Sequence, residues 1–582
     1  MKLSVFVGIS LEISSLLYAF PQLSTEIEND LKKNAKLAPE YIAKYAEFLK
    51  SNRENVAKNL PEKDQNSEDK DHELNPSSKI KVGEYGDLFE GDLLLTDRQM
   101  SRLTHILMNG PSKDSPAKND TNTKQFAALS ADLSGQWTMP VRFYFDPSFN
   151  GRKATVRSAL QHWQDNTCVT FQEMNAAPAG GDDNYIRVIA GNGCYSNVGS
   201  VSPGQTLSLG QGCVYKGIAA HEFGHALGLW HEQSRPDRDY YVTINTKNIY
   251  RQTLSNFQKY STSDVALTDQ IPYDLGSIMH YGSTAFAINE DTPSIVANNP
   301  LFQNTMGQRD ALSFYDIKAV NTRYCECDTS LQCYHDGYPD PKDCNKCRCP
   351  EGFGGDLCDQ ALYINDGCGE INLAAGSDWQ TLEISGVGTC YYYITSPEKT
   401  KVQLDFTGSA FACALTCSPN PGYGYVEARY QGYLSNTGPR LCCDTPENIV
   451  SEENEALVLY RGQASSSLFV RYKSTSSDDE QADFGMDGVW FKWSEWSPCT
   501  ASCGSCGVHS RTRKCSKKNA CRGSSKLTTL CNRRPCPNTE QPCCKPHALL
   551  PGGQECGRRK VTTQQSTTME TKVTTTVVEP KA

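Results

Sequence analysis

The spacing of apolar and polar positions divides the chain into stretches of different character. Residues 1–20, MKLSVFVGISLEISSLLYAF, form an apolar run with one basic residue near its start and a small residue, Ala19, near its end. This pattern predicts a secretory signal peptide over 1–19, and Glu12 inside the run counts against a membrane anchor. Residues 20–124 are polar, with a helix-like segment near Ile27–Leu60 and a charged run, Glu62–Glu73, too poor in apolar residues to fold. Val141–Phe145 reads as a strand, Lys153–Trp163 has helical apolar spacing, and Tyr185–Ala190 reads as another strand. From Cys368 to about Trp493, short apolar runs (Tyr391–Ile394, Val402–Phe406, Leu457–Tyr460) alternate with turn residues, which predicts a β-sandwich. After Gly557 the chain is Thr-rich with few apolar anchors and predicts a disordered tail. No later stretch is long and apolar enough to span a bilayer.

Composition changes this picture in two ways. A chain of 582 residues is too long for one core, and 26 cysteines, most of them in the second half, point to an oxidising compartment and to disulfide-stapled modules. A formal charge of −10 argues against a general nucleic-acid binder. The local exception is Lys492–Cys536, with ten Lys/Arg against one acidic residue, Glu495. Part of that charge suits stacking on tryptophan faces; the rest suits sulfated glycans or an acidic matrix as well as a plain solvated face.

The chemistry concentrates in HEFGHALGLWHEQSRPDRD, His221 to Asp239. His221 and His225, four apart, share one face of a helix. Gly228 can take the left-handed backbone that ends the helix, so that His231 approaches from another direction and completes a three-imidazole zinc site. Glu222, beside the first histidine, is placed to act as general base on the attacking water. A bare HExxH recurs by chance, often as a surface pair; the full HExxHxxGxxH is specific.

With Ser277-Ile278-Met279-His280-Tyr281 downstream, this stretch resembles the astacin family of zinc endopeptidases, within the metzincins. The resemblance implies one catalytic zinc, a hydrophobic floor at Met279, and a displaceable extra metal ligand at Tyr281 that turns to the oxyanion during reaction. An adamalysin-type metzincin would carry Asp after the third histidine, where this chain has Glu232. A matrix-binding adaptor with a dead protease domain would be expected to have lost a ligand or Glu222. Leu88-Phe89-Glu90-Gly91-Asp92 resembles the FxGD motif of astacin propeptides, which implies that Asp92 occupies the water's place on zinc until the leader, residues 20–124, is cut away. The mature enzyme would begin between about Asn119 and Gln136, near the sequon at Asn119, and its freed amino terminus would be buried beside Glu232. Glu232 pairing only with the Arg235–Arg238 segment is the alternative.

The resemblance implies an α+β, two-lobed protease domain over 125–325 with bridges Cys168–Cys325 and Cys194–Cys213. Residues 326–359 resemble an epidermal-growth-factor module, paired Cys327–Cys344, Cys333–Cys347 and Cys349–Cys358. Residues 368–492 resemble a CUB domain with Cys368–Cys390; Gly424 stands where many calcium-binding CUB domains have aspartate, which counts against calcium. Residues 493–537 resemble a thin thrombospondin type-1 repeat with Cys499–Cys531, Cys503–Cys536 and Cys515–Cys521, before a Cys-containing tail, 538–582. Partners of Cys413, Cys417, Cys442, Cys443, Cys506, Cys543, Cys544 and Cys556 stay open. The implied protein is a secreted zymogen that cuts extracellular protein. Its module order resembles nematode astacins of moulting and hatching, which implies cuticle or eggshell collagen as substrate class.

Overall fold

The computed structural model describes residue 23, residues 25–58, 88–109 and 135–476, the last with gaps at 179–183, 261–270, 328–330, 420–422, 444 and 447, and parts of 494–557. Residues 1–19, Glu62–Glu73, Asn119 and the tail after Gly557 lie outside them. The chain forms two compact units, Met1–Gly485 and Met486–Ala582. Among the described residues no helix is long and apolar enough to cross a membrane.

The helix-like stretch near Ile27–Leu60 is two helices, α1 (Thr25–Lys33) and α2 (Pro39–Lys58). The break has a local cause: a proline disfavours helical backbone in the residue before it, yet its fixed φ suits the first turn of a helix. Ile27, Leu31, Ile42, Tyr45, Phe48 and Leu49 bury a common face together with Phe89 and Leu93 and with Ile189, Tyr195 and Trp230 of the body that follows. The polar N-terminal region therefore carries its own apolar stripe, and that stripe is covered by the body that follows.

After Asp92 the chain runs as a two-residue strand, β1 (Leu93–Leu94), and then helix α3 (Asp97–Asn109). β1 is the edge of a six-stranded sheet whose other members are β2 (Val141–Phe145), β3 (Phe171–Glu173), β4 (Ile186–Ile189), β5 (Cys194–Asn197) and β6 (Gln205–Leu209). The order is β1-β5-β6-β4-β2-β3; β5 runs antiparallel to β6, and every other pair is parallel. Helix α4 (Lys153–Asn166) packs Val156, Leu160 and Trp163 into the core beneath this sheet. Its Trp163 Nε1 donates to Ala220 O at 3.0 Å, which fixes α4 against the next helix, α5 (Lys216–Ala226). The rest of this body holds little regular structure: an antiparallel pair of distant strands, β7 (Val242–Ile244) and β8 (Ile295–Ala297), and a final helix, α6 (Phe314–Tyr324). Cys168–Cys325 joins the end of α4 to the end of α6, and Cys194–Cys213 closes β5 onto the segment before α5.

The cysteine-rich stretch that follows forms Cys327–Cys344, Cys333–Cys347 and Cys349–Cys358. Beyond it lie two facing sheets, five-stranded and four-stranded, around a core of Tyr392, Ile394, Val402, Leu404, Val458 and Val470. Strands cover Gly388–Thr395, Thr400–Asp405 and Glu455–Gly462, over the three runs expected from alternation. Cys368–Cys390 is present, and the open set resolves as Cys413–Cys443 and Cys417–Cys442.

This sandwich is seated on the body formed by residues 135–325. Tyr315 and Ser435 hydroxyls lie 2.7 Å apart, Cys417 N donates to Asn304 O at 2.8 Å, and Ser418 Oγ donates to Asp310 at 2.6 Å. Arg440 reaches Asp310 at 3.8 Å and Glu427 at 3.3 Å, while Arg429 holds Glu427 from its other side at 2.7 Å. Burial pushes the Glu427 carboxyl up, and the two guanidiniums outweigh it, so the group stays ionised below its usual range. Two cations already neutralise this carboxylate.

In the second unit, strands Gly507–Thr512 and Lys526–Cys531 pair antiparallel, and Ser494 N and Ser497 N donate to Thr512 O and Ser510 O at 2.7 Å. Cys503–Cys536 forms, and Cys499 and Cys543 each belong to a further disulfide. Trp493 and Trp496 and the cysteines at 515 and 521 lie outside the described residues, as does the Cys531 side chain.

Candidate active site

Three imidazoles and one carboxylate meet at the end of α5. Asp92, His221, His225 and His231 each offer a ligand atom, all within 4.8 Å of one another, the one such group among the described residues. His221 and His225 Nε2 are 3.1 Å apart, and Asp92 Oδ2 is 3.2 Å from Nε2 of both His221 and His231. Asp92 Oδ1 is 3.7 Å from His225 Nε2. A tetrahedron with arms of about 2.0–2.1 Å has edges of about 3.3 Å. The donor set, three imidazole nitrogens and one carboxylate oxygen, therefore fits zinc in both size and chemistry.

Local structure explains how the histidines converge. His221 and His225 are one turn apart on α5, which ends at Ala226. Gly228 then takes φ +102, a conformation that a side chain would strain, and turns the chain so that His231 comes back over the cluster. Each ring is fixed through its other nitrogen: His221 Nδ1 to Ile278 O at 2.8 Å, His225 Nδ1 to Leu229 O at 2.8 Å, and His231 Nδ1 to Glu90 Oε2 at 2.7 Å. Such outer partners set the tautomer and aim the metal-binding nitrogen.

The turn of residues 277–281 that carries Met279, the Met-turn, lies directly beneath. Met279 is buried, and a Cβ at Gly224 of α5 would stand 3.0 Å from its sulfur, so the thioether floors the ligand helix. Glu232 N donates to Met279 O at 3.1 Å and Tyr281 N to Gln233 Oε1 at 3.0 Å, locking the third-ligand segment onto this turn. Asp316, in the first turn of α6, accepts from Ser277 Oγ at 2.6 Å and Ile278 N at 2.9 Å, and thereby fixes the carbonyl that holds His221. Tyr281 is buried with its ring centroid 4.7 Å from that of His231, and its hydroxyl donates to the Glu90 carbonyl.

Glu222 is buried, and its Oε2 has no hydrogen-bond partner. Burial, reinforced by the negative charge of Asp92, raises its carboxyl well above the usual value against the pull of Arg309. Asp92 goes the other way. Burial opposes its charge, but His231 and His225 and a hydrogen bond from His221 hold it well below the usual range. Glu232, also buried, is pushed up to about 8 by desolvation despite Arg235 at 3.1 Å. In this arrangement it pairs with Arg235 and accepts from Asp274 N at 2.9 Å.

Comparison with known proteins agrees with this geometry. Residues 130–325 match the family model of the astacin peptidases, and residues 492–536 that of the thrombospondin type 1 domain. Zinc metalloproteinase nas-36 of Brugia malayi is 34% identical over 537 residues, 83% of this chain and 88% of that protein. The chain belongs to the astacin family. Further astacin relatives include zinc metalloproteinase nas-36 of Caenorhabditis elegans, 35% identical over 82% of this chain and 78% of that one. Zinc metalloproteinase nas-34 of the same organism is 39% identical over 66% of this chain, and the match spans 64% of its length. Among solved structures, the hatching-enzyme zinc-protease HCE-1 of medaka fish shares 35% identity over 33% of this chain and 96% of that chain, with a TM-score of 0.30. The protein is thus a zinc metalloendopeptidase, and the adamalysin alternative falls with Glu232 and the family match.

Of the residues singled out from the sequence, the structure brings together Asp92, His221, Glu222, His225, His231, Met279 and Tyr281; Asn119 lies outside the described residues. Sequence reasoning passed over Glu90, Ser234 and Asp316. Glu90 stands at the unspecified position of FxGD, and Asp316 is separated by 38 residues from the Ile278 amide it holds; only its Ser313-x-x-Asp316 capping pattern was visible.

Proposed function

We propose that this astacin is a secreted enzyme made as a zymogen, with the leader latched by Asp92 and removed before Trp137. The observation that carries the reading is the Asp92 carboxylate seated among three ligand nitrogens, where substrate and its attacking water would have to enter. Zinc held by His221, His225 and His231 supplies Lewis acidity toward the scissile carbonyl and the attacking water. Glu222, raised by burial, takes the proton of that water and returns it to the leaving amine. Tyr281, released from the Glu90 carbonyl once the leader is gone, donates to the developing oxyanion. The freed amino terminus would bring a cation to Glu232, a buried carboxyl that shares Arg235 with Asp237.

The cysteine-rich stretch 326–359 reads as an epidermal-growth-factor module and 368–492 as a CUB domain without calcium, since Arg429 and Arg440 already satisfy Glu427. With the basic thrombospondin repeat they would hold the enzyme on extracellular matrix or sulfated glycans. Nematode relatives and the module order favour extracellular structural protein, of the cuticle or eggshell collagen class, as substrate. The test is hydrolysis of a quenched peptide by matured protein. Chelator-sensitive turnover that falls about 10²–10⁴-fold in Glu222→Ala, with zinc content unchanged, fits the assigned role. Turnover that survives either treatment refutes it. A map of cut sites in a cuticle extract then tests the substrate class.

A further inference from the structure

The three ligand histidines are not supported alike. His221 and His225 rest on backbone carbonyls, Ile278 O and Leu229 O, that belong to the protease domain itself. His231 rests on a carboxylate, and that carboxylate, Glu90, belongs to the leader. It is two residues from the Asp92 that faces the cluster, so one short loop approaches the same imidazole from both sides: Asp92 Oδ2 at 3.2 Å from Nε2, Glu90 Oε2 at 2.7 Å from Nδ1.

The loop is shaped for this. Glu90 has φ +48 and Gly91 φ +81. A glutamate is disfavoured in the left-handed region, so the residue is held there by its contacts. Its side chain is fully buried, and its second oxygen accepts from Ser234 Oγ at 2.6 Å. Tyr45 pins the loop from α2, accepting from Phe89 N at 2.9 Å and donating to Leu93 O at 2.5 Å.

We propose that Glu90 is a positioning residue that the leader lends to the metal site: it orients His231 and strengthens it as a ligand, so the uncleaved chain holds zinc more tightly than Asp92 alone would make it. A carboxylate is a stronger hydrogen-bond acceptor than a peptide carbonyl and makes the imidazole it holds more basic. Cutting away the leader then removes two supports in one event, the ligand oxygen of Asp92 and the outer partner of His231. The two carbonyl-held histidines keep theirs. This rests on the reading of the cluster as the zinc site.

The experiment uses full-length, uncleaved protein and follows zinc release to a chromogenic chelator in the wild type, Glu90→Ala, Glu90→Gln and Leu88→Ala. Loss of an outer partner typically lowers metal affinity about 10–100-fold. Glu90→Ala should release zinc faster by that factor. Glu90→Gln, which keeps a hydrogen-bond acceptor for His231 without the charge, should fall between it and wild type. Leu88→Ala, which loosens the buried leader but leaves His231 its carboxylate partner, should release zinc more slowly than Glu90→Ala. All of these changes lie in the leader, so each variant matures to the same enzyme, and equal kcat/KM after activation checks that each one folded. Equal release from Glu90→Ala and wild type, or equally fast release from Leu88→Ala and Glu90→Ala, overturns the inference and leaves the zinc reading standing. A wild-type chain purified from zinc-containing medium without bound zinc removes both.

Discussion

Asp316 offers a test in which two similar substitutions should behave oppositely. Its carboxylate accepts from Ser277 Oγ, Ile278 N and Ser313 N, at 2.6, 2.9 and 2.8 Å, and its own N–H donates to Ser313 Oγ at 3.1 Å. Asp316→Ala leaves Ile278 N and Ser277 Oγ buried without their acceptor, at about 1–3 kcal/mol each, and removes half of a capping box worth about 1 kcal/mol. A loss of about 3–6 kcal/mol follows. Asp316→Asn is different. Both N–H donors use the same oxygen, Oδ2, so an amide oxygen placed there keeps both bonds, while the amide nitrogen can donate to Ser277 Oγ.

Charge then reverses the expected sign for asparagine at neutral pH. Burial first, and Asp274 second, lift the Asp316 carboxyl to about 6 against the hydrogen bonds that lower it. A carboxyl raised in the folded state gives stability that is full below its unfolded value, about 3.9, and is lost as pH rises through about 6. Two units at about 1.4 kcal/mol each make the ionised form about 3 kcal/mol less favourable than the neutral one. Urea unfolding of the full chain at pH 4 and pH 7.5 should therefore find Asp316→Asn close to wild type at the lower pH and more stable at the higher. Asp316→Ala should be less stable at both. If alanine and asparagine behave alike, the three hydrogen bonds do not hold the Met-turn; if the asparagine–wild-type gap does not change with pH, the carboxyl is not raised.

Tyr45→Phe removes the hydroxyl that both accepts from Phe89 and donates to Leu93 around the Asp92 loop. The uncleaved variant should show peptide hydrolysis above the wild-type background, measured before activation. Gly228→Ala forces a β-carbon onto φ +102 and to 3.3 Å from Arg323 Cζ; zinc content by metal analysis should fall below one per chain as His231 is displaced. Arg440→Ala leaves Glu427 with Arg429 alone and breaks the link to Asp310. It should cost about 3 kcal/mol, seen as a lower unfolding midpoint, and added calcium should not restore it.

The metal centre was legible because its chemistry is written in local spacing. A separation of four positions between His221 and His225 means one helical turn, and Gly228 before His231 means a bend, whatever surrounds them. The sandwich strands were legible for the same reason, as alternation carries the inside and outside of a sheet. What stayed hidden is held by groups distant in sequence: Glu90 meets His231 across 141 positions, and Arg440 meets Asp310 between modules. Hydrophobic periodicity suggested helix near Ile27–Leu60 but gave no weight to Pro39, which splits it. The cysteine pairs Cys413–Cys443 and Cys417–Cys442 needed coordinates, because adjacent cysteines at 442 and 443 make both pairings equally plausible on paper.

The bridge from Cys168 to Cys325 spans 157 positions, and the helix and turn that supply every zinc ligand of the mature site lie inside that span. A peptide bond nicked anywhere within it leaves two fragments still joined as one covalent molecule, with His221, His225 and His231 aboard. An enzyme that meets other proteases, or other copies of itself, can thus take a cut in a surface loop without shedding half of its metal site. Only reduction together with the nick would separate the pieces.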